Sequence, residues 1–402
     1  MTDLQRILPL WSELEAAAAD YVLATVVQVQ GSSYRKPGAC MLLAPDGRRA
    51  GTVSGGCLEA EVARRAWWLT ADGPIIQSYS TAEEDGELPY GSGCGGVVFL
   101  LIERRQTAGP LYQALARAFE VRSPLAVATI LEGSECGRRA FAGLPRNHSQ
   151  SLRPAIETHQ ATIEAHLQDL ANQALKGGGP IEQAISTNAS EVRLWANLYP
   201  ARPGLWIFGA GDDAQPLLSL ARELGWFVTV ADGRSHLATR GRFPLADDLR
   251  VLKPNLSEAP PANSSANPQS SFDNLHPADF RSNDTVVLMT HSFEQDARIL
   301  AFLLAGEIPL PYIGVLGPQR RTRELLAEAS RLLNLPAISA SAADARVEHW
   351  LVQLHAPMGL DLGAESPQTI ALSVVAEIQK TLTAATALPL RQVRATFLTT
   401  SN

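Results

Sequence analysis

The residues best placed to do chemistry form a glycine turn in the middle of the chain, Gly209-Ala210-Gly211. An apolar strand runs into this turn, and a helical pattern follows it. A second apolar run ends in Asp232, about twenty residues beyond the last glycine. This layout is typical of a dinucleotide-binding β-α-β unit, in which glycines let the backbone approach a pyrophosphate at a helix N-terminus. Gly209, Gly211 and Asp232 are therefore candidate cofactor-binding residues.

Two acids disturb this simple interpretation. Asp212 and Asp213 follow the glycines directly, where they would repel an incoming phosphate and compete for the same N–H groups. The same position favours acids for a structural reason, because they complement the dipole of the helix. The sequence thus predicts a Rossmann-like unit and leaves nicotinamide binding as the weaker alternative.

Two glycine-cysteine motifs, at 54–57 and 93–96, lie within the first hundred residues. Their glycines can take positive φ and expose backbone N–H groups as an anion-binding nest. A thiol at a helix N-terminus, where Cys57 is predicted to lie, has a lowered pKa. Equally open is a purely structural role for both cysteines as small buried residues in tight turns. The candidate cofactor-binding residues of these motifs are Ser54, Gly55, Gly56, Cys57, Cys94 and Gly95.

Further candidates follow predicted strands of the second half of the chain. His291 comes after an apolar run at 286–289, and Arg320 and Arg321 come after one at 313–316. Ligands of open α/β sheets bind at the carboxyl ends of strands, so these residues could contact a ligand or its anionic group. The structural alternatives are a solvated helical face and a hydrogen-bonded histidine. No catalytic triad can be assembled, and metal ligands stay unassigned.

Composition limits the classes of protein that the chain can belong to. The 402 residues are 46% hydrophobic and 19% charged, which describes an ordinary globular protein. The net charge of -7 argues against nonspecific binding to nucleic acid or to a membrane surface. Acids interrupt the apolar residues of the N-terminus, and no apolar run is long enough to span a bilayer. Four cysteines are too few for a disulfide scaffold, so a cytoplasmic location is expected.

The elements that must position these residues divide the chain into two α/β domains. Strands and helices of mixed order predict an N-terminal α+β domain at 1–140, and a connector is expected at 141–203. Regular alternation of strands and helices then predicts a C-terminal Rossmann-like domain with a parallel sheet at 204–402. An irregular insertion rich in Asn, Ser and Pro is expected at 254–283.

Seven segments, in order along the chain, resemble the XdhC/CoxI family of accessory factors for xanthine dehydrogenase and related molybdenum hydroxylases. They are GSSYRKPGACMLL (31–43), GTVSGGCLEAEV (51–62), GCGGVVFLLIE (93–103), IFGAGDDAQPLLSLARELGWFVTVADGR (207–234), MTHSFEQD (289–296), YIGVLGPQRRTRELL (312–326) and HAPMGLDLGAESPQTIALSVVAEI (355–378). The chain departs from the family pattern at Tyr34, where proline is frequent, and at Thr369, where an acid is common.

The resemblance implies a cofactor chaperone in place of an enzyme with turnover. Such a protein binds molybdenum cofactor, protects it during sulfuration by a cysteine desulfurase, and passes it to a xanthine dehydrogenase-type molybdoenzyme. Glycine nests and cations would then hold the phosphate, and Cys57 or Cys94 would meet the metal-sulfur end as a soft ligand. Two other functions stay open, an NAD(P)-dependent oxidoreductase and a cysteine-dependent cofactor-modifying or sulfur-carrier enzyme. A homodimer is also left open.

Overall fold

The computed structural model describes most of the chain, and its contacts divide it into two compact units, Met1–Arg202 and Pro203–Asn402. The described residues are 2–56, 58–80, 96–133, 135–144, 158–186, 191–253, 272–305, 308–333, 347 and 350–393.

The first unit contains a five-stranded antiparallel sheet in the order β3-β2-β1-β5-β4. Its strands are β1 (Val22–Gln30), β2 (Cys40–Leu43), β3 (Arg49–Gly51), β4 (Ile75–Ser80) and β5 (Val97–Arg104). The helices packed with it are α1 (Thr2–Ala16), α2 (Glu59–Leu69) and α3 (Arg105–Val121). Apolar residues of α1 and α3 pack on one face of the sheet and those of α2 pack on the other, so the sheet is buried on both faces.

A second antiparallel sheet of the first unit has the order β7-β6-β9-β8. Its strands are β6 (Leu125–Ile130), β7 (Arg139–Ala142), β8 (Ile181–Ser186) and β9 (Glu191–Tyr199), and helix α4 (Thr158–Gly177) packs on it. The prediction of a connector at 141–203 is therefore wrong for the described part of that segment. Strand β9 pairs with β6, β8 pairs with β9, and α4 packs on this sheet, so that Leu167, Leu170 and Leu194 share one apolar core with β6.

The second unit is built on a five-stranded parallel sheet in the order β12-β11-β10-β13-β14. Its strands are β10 (Gly204–Phe208), β11 (Phe227–Asp232), β12 (Asp248–Val251), β13 (Asp284–Leu288) and β14 (Tyr312–Val315). Its helices are α5 (Ala214–Glu223), α6 (Phe293–Ala305), α7 (Gln319–Leu332) and α8 (Pro367–Thr383). The predicted fold class, a mixed α/β chain with a Rossmann-like parallel sheet in its second part, is confirmed.

Helices cover both faces of the parallel sheet. Leu205 and Ile207 of β10 pack toward α5 and α8, whereas Trp206 and Phe208 pack toward α6 and α7. Successive side chains of a strand point to opposite faces, so a continuous apolar strand is what a sheet covered on both faces requires. Burial of the sheet leaves its carboxyl edge and the loops there as the place for a ligand.

The predicted irregular insertion at 254–283 differs from the structure in its last third. Residues 254–271 lie outside the described part of the chain. Phe272, Leu275 and Phe280 are buried in the core beside α6, and a single 3-10 turn, Pro277–Asp279, lies between them. Residues 272–283 include few apolar side chains, but Phe272, Leu275 and Phe280 pack in the same core as Trp206 and Phe208 of β10.

Within the described residues, no helix has both the length and the apolar character needed to cross a membrane.

Candidate functional site

The glycine turn follows β10 and makes a close approach to the loop after β13. Gly209 has φ +125°, and a Cβ at this position would lie 2.7 Å from the carbonyl oxygen of Met289. Only glycine combines this backbone conformation with that separation. The turn is therefore fixed by the neighbouring strand connection as well as by its own sequence.

Asp232, at the end of β11, is fully buried and turned inward. Its Oδ2 accepts a hydrogen bond from the backbone N–H of Ala210 at 2.8 Å. Arg234 donates from its backbone N–H and Nε to Oδ1, and from Nη2 to Oδ2. Burial alone would raise the pKa of Asp232, but the hydrogen bonds from Arg234 and Ala210 outweigh it and lower the pKa. The acid thus ties the glycine turn to a guanidinium group.

Two acids follow the glycine turn, and one of them lies close to it. Asp213 lies so close to Gly211 that a Cβ there would collide with its Oδ1. Asp212 forms an ion pair with Arg242 at 2.8 Å, while its own side chain is 88% exposed. Asp213 precedes the first residue of α5 without a side-chain capping bond. Asp213 therefore places a negative charge beside Gly211 at the N-terminus of α5, where it opposes anion binding, whereas the charge of Asp212 is paired with Arg242.

A cavity of about 440 Å³ lies beside the turn, at the carboxyl ends of β11, β12 and β13. Side chains that could contact a ligand there are those of Arg234, Thr290, His291, Gln295 and Arg298. Its volume falls within the range of small-molecule sites, about 300–1,000 Å³. Because parallel strands end at one edge, separate stretches of sequence supply its walls: 233–234, Leu252, Phe272 and residues between 290 and 298.

Two groups in this cavity have unused hydrogen-bonding capacity. The Nε2 of Gln295 is buried and has no hydrogen-bond partner within the described part of the chain. Arg234 uses Nε and Nη2 for Asp232, so its Nη1 group has no partner among the described residues. Arg298, by contrast, pairs with Glu294 at 2.9 Å. The cavity therefore offers donors for an acceptor-rich ligand.

His291 joins the glycine turn to the cavity. Its side chain lines the cavity, and its Nε2 would lie 3.6 Å from a Cβ at Gly211. The structure thus brings four of the predicted residues to one edge of the sheet: Gly209, Gly211, Asp232 and His291. Their role in binding a cofactor stays a prediction.

The other two predicted residues of this unit have different surroundings. Arg320 is 89% exposed and pairs with Glu324 one helical turn away. Arg321 donates to the buried Asp296 at 2.6 Å and to the carbonyl of Leu316. Asp296 also accepts from the hydroxyl of Thr290, which lines the cavity. Arg321 therefore supports the cavity wall from behind, and Arg320 faces solvent.

A second buried network organises the segment after β14 that contains His355. Glu377 of α8 accepts hydrogen bonds from Tyr312 at 2.8 Å and from the backbone of Gly359 at 2.7 Å, and it contacts His355 Nδ1 at 3.0 Å. The rings of Tyr312 and His355 stack with centroids 4.2 Å apart. Burial opposes ionisation, yet these partners lower the pKa of Glu377 to about 2. The shape of this segment thus depends on one carboxylate.

In the first unit, the predicted anion nest is filled by the protein's own Glu59. The backbone N–H groups of Val53, Ser54, Gly55 and Gly56 donate to this carboxylate at 2.8–3.1 Å, and the hydroxyls of Ser54 and Thr52 donate as well. Burial raises the pKa of Glu59, but the hydrogen bonds dominate and lower it to about 2. Any phosphate at this nest would have to displace a bound carboxylate.

The loop after β1 contacts both glycine-cysteine motifs. A Cβ at Gly55 would lie 2.7 Å from the ring of Tyr34, and one at Gly96 would collide with the carbonyl oxygen of Ser32. Tyr34 is nevertheless 75% exposed. One of the two basic side chains of this loop, that of Arg35, pairs with Asp3. Three motifs that are distant in sequence thus meet at one end of the first sheet.

The cysteine motifs are only partly covered by the structure, since Cys57, Cys94 and Gly95 lie outside the described residues. Of the other two cysteines, Cys40 is buried, and burial raises its pKa. Burial likewise raises the pKa of Cys136 to about 11. Across the described ranges, no group of three or more His, Cys, Asp or Glu side chains could hold a metal ion.

Arg234 and Gln295 are not among the candidate residues that the sequence motifs indicate. A signal for Arg234 is available, because it stands two residues beyond Asp232 in the same short loop. Gln295 lies at the start of α6, four residues after His291, which places both near the same strand end. Its significance depends on an Nε2 that has no hydrogen-bond partner among the described residues, which is a property of the tertiary structure.

These features define a protein with an antiparallel α+β unit followed by a Rossmann-type unit whose cavity lies at the carboxyl edge of its sheet. The family model for the XdhC Rossmann domain matches residues 205–378, and the model for the XdhC and CoxI family matches residues 14–80. The chain belongs to the XdhC and CoxI family.

Individual relatives support this assignment. The chain is 32% identical over 369 residues to a Bacillus subtilis protein named as a probable subunit of xanthine dehydrogenase, covering 90% of this chain and 92% of that one. It is 35% identical over 113 residues to the molybdenum cofactor insertion chaperone PaoD of Escherichia coli. The matched region covers 26% of this chain and 32% of PaoD. The crystal structure of a xanthine dehydrogenase from Bacillus halodurans resembles it with a TM-score of 0.60 at 26% identity, over 95% of this chain and 97% of that chain.

Proposed function

We propose that this protein binds molybdenum cofactor as cargo and delivers it to a xanthine dehydrogenase-type molybdoenzyme. One relative is named as a molybdenum cofactor insertion chaperone, and another is named for xanthine dehydrogenase. The observation that carries the proposal is the cavity beside Asp232, where Arg234 and the buried Gln295 amide keep donors that no described residue uses. Molybdenum cofactor presents a phosphate and a heterocycle, and both need hydrogen-bond donors.

The donor set fits this cargo better than it fits a dinucleotide. A nicotinamide cofactor would need the acid after β11 for its ribose and the helix N-terminus for its pyrophosphate. Asp232 is buried and already accepts four hydrogen bonds, and Asp213 covers the glycine turn. A ligand with one phosphate can avoid both acids and meet Arg234 and His291. The NAD(P)-dependent oxidoreductase is therefore the weaker candidate.

The finer steps of the role belong to the same proposal. The bound cofactor would be protected while a cysteine desulfurase supplies sulfur, and Cys57 or Cys94 would meet its metal-sulfur end. A homodimer and a cytoplasmic location complete the proposal. The alternative of a cysteine acting as nucleophile or sulfur carrier rests on the same two residues.

Anaerobic titration of the purified protein with molybdenum cofactor tests the proposal. We expect saturable binding and transfer of the cofactor to an apo-xanthine dehydrogenase. Arg234→Gln should weaken binding by about tenfold or more, because a charge-assisted bond to phosphate is worth about 1.5–3 kcal/mol. Arg320→Gln is the matched control and should bind like the wild type. Failure to retain the cofactor, together with tight binding of NADPH, would reject the chaperone role.

The cysteine steps need separate variants. Cys57→Ala and Cys94→Ala should retain the phosphate-dependent part of the affinity but release cofactor that has lost its sulfur. If both variants protect and deliver the sulfurated cofactor as well as the wild type, the proposed contact at the metal-sulfur end is wrong. Cofactor binding itself would be unaffected by that result.

A further inference from the structure

The buried amide of Gln295 is the feature of the cavity that the fold does not explain. Its Nε2 has no acceptor within the described residues, although a buried donor without a partner lowers the stability of a protein. Its Oε1 lies beside Gly233, 3.0 Å from the position that a Cβ would take there. A polar group kept in this state is held ready for an acceptor on a ligand.

The surroundings of this amide suit a flat, neutral ring. Leu252 and Phe272 line the same cavity and are almost fully buried in the core. Phe272 is fixed edge-to-face against Phe302, with centroids 6.4 Å apart at 82°. An apolar wall with one fixed donor is a usual arrangement for a heterocycle, because packing supplies the affinity and the hydrogen bond supplies the orientation.

We infer that Gln295 binds the pterin end of the cargo, by donating from Nε2 to an acceptor of the ring that packs on Leu252 and Phe272. This inference rests on the proposed function for the identity of the ring. It adds the orientation of the ligand, with the ring on Gln295 and the phosphate toward Arg234. Gln295 is accordingly a specificity-determining residue, and its Nε2 donates to none of the described residues.

The test uses 6-hydroxymethylpterin, which carries the ring without the phosphate, and the full-length Gln295→Leu variant. We expect the variant to bind the pterin about tenfold more weakly, which corresponds to about 1.4 kcal/mol. Its melting temperature should be unchanged or higher, because an unpartnered buried donor has been removed. Gln379→Leu, at an exposed position of α8, is the matched control and should leave the affinity unchanged.

Each result has a definite meaning. Equal affinity of wild type and Gln295→Leu for the pterin would overturn the inference, as would a clear preference of the wild type for adenosine over the pterin. A lower melting temperature in the variant would also overturn it, since Gln295 would then be structural. In another outcome, the wild type binds the pterin and Gln295→Leu does not, but the wild type fails to retain molybdenum cofactor. This result would support the inference and reject the proposed function. If both proteins retain the cofactor equally and bind the pterin equally, the proposed function is supported and the inference is rejected.

Discussion

Arg234 binds both carboxylate oxygens of Asp232, two residues before it in the chain, while the same carboxylate accepts the backbone N–H of Ala210. The pair is therefore a clamp between the glycine turn and the cavity. Asp232 is fully buried, whereas the side chain of Arg234 is 40% exposed. The acid fixes the guanidinium in place, and no described residue engages its Nη1 group.

Asp232→Asn should destabilise the second unit by about 2 kcal/mol, since a hydrogen bond to a charged group is worth about 1.5–3 kcal/mol. Partial exposure of Arg234 limits the loss. Urea unfolding at neutral pH measures it. Asp212→Asn, which breaks the exposed pair with Arg242, is the control and should change stability little. Equal effects of the two substitutions would show that Asp232 is not a clamp.

The stability supplied by Glu59 should depend on pH. Its pKa is about 2 in the folded protein, against an ordinary value of 4.5. A lowered folded-state pKa stabilises the protein fully above 4.5, and this contribution is lost as the pH falls toward 2. The difference corresponds to about 3 kcal/mol.

Glu59→Gln removes that contribution and provides the comparison. The variant should be less stable than the wild type at pH 7, and the difference should shrink steadily as the pH is lowered from 5 to 3. Chemical unfolding at several pH values, followed by tryptophan fluorescence, measures both curves. A difference that stays constant over this range would mean that the nest does not hold an ionised carboxylate.

The two glycines of the turn should tolerate alanine unequally. At Gly209 a Cβ meets the backbone of Met289, which cannot move without shifting a strand connection. At Gly211 it meets the side chain of Asp213, which can rotate away toward solvent. Gly209→Ala should therefore cost well over 1 kcal/mol and Gly211→Ala clearly less. Thermal unfolding compares them, and the opposite order would contradict this account of the turn.

Arg320 and Arg321 are neighbours in sequence, but their substitution should affect stability to very different extents. Arg321→Gln leaves the fully buried Asp296 without its cation and should cost about 3 kcal/mol, because breaking a buried pair leaves a charge uncompensated. Burial already raises the pKa of Asp296 in spite of Thr290 and Arg321. Arg320→Gln should unfold like the wild type. Unfolding of both variants under one set of conditions decides the point.

Motif spacing is enough to predict the Rossmann-like unit, because strand, glycine turn, helix and acid follow one another within about thirty residues. It is not enough for the segment at 141–203. The apolar residues of α4 and β9 fall on faces that have no partner nearby in sequence, so their pairing with β6 cannot be read from the chain. Long-range pairing depends on tertiary contacts that local patterns do not encode.

For the candidate site, too, the sequence predicts some properties and leaves others undetermined. The positions of Gly209, Gly211, Asp232 and His291 at strand ends follow from the order of the elements alone. The hydrogen-bond partner of each group does not follow from that order. The spacing predicts that the nest at 54–56 and the carboxylate of Asp232 both face a ligand, and both are satisfied within the protein.

The sequence by itself therefore determined the architecture of the second unit and the edge at which we propose that a ligand binds, because backbone periodicity and glycine conformation are local properties. Only the tertiary structure decided which polar groups of the described residues are already paired and which still have donors to offer. That depends on side chains brought together from distant segments, such as Glu59 in its nest and Gln295 beside Gly233. A hydrogen bond needs both a donor and an acceptor, and when these come from distant segments the sequence does not show that they meet.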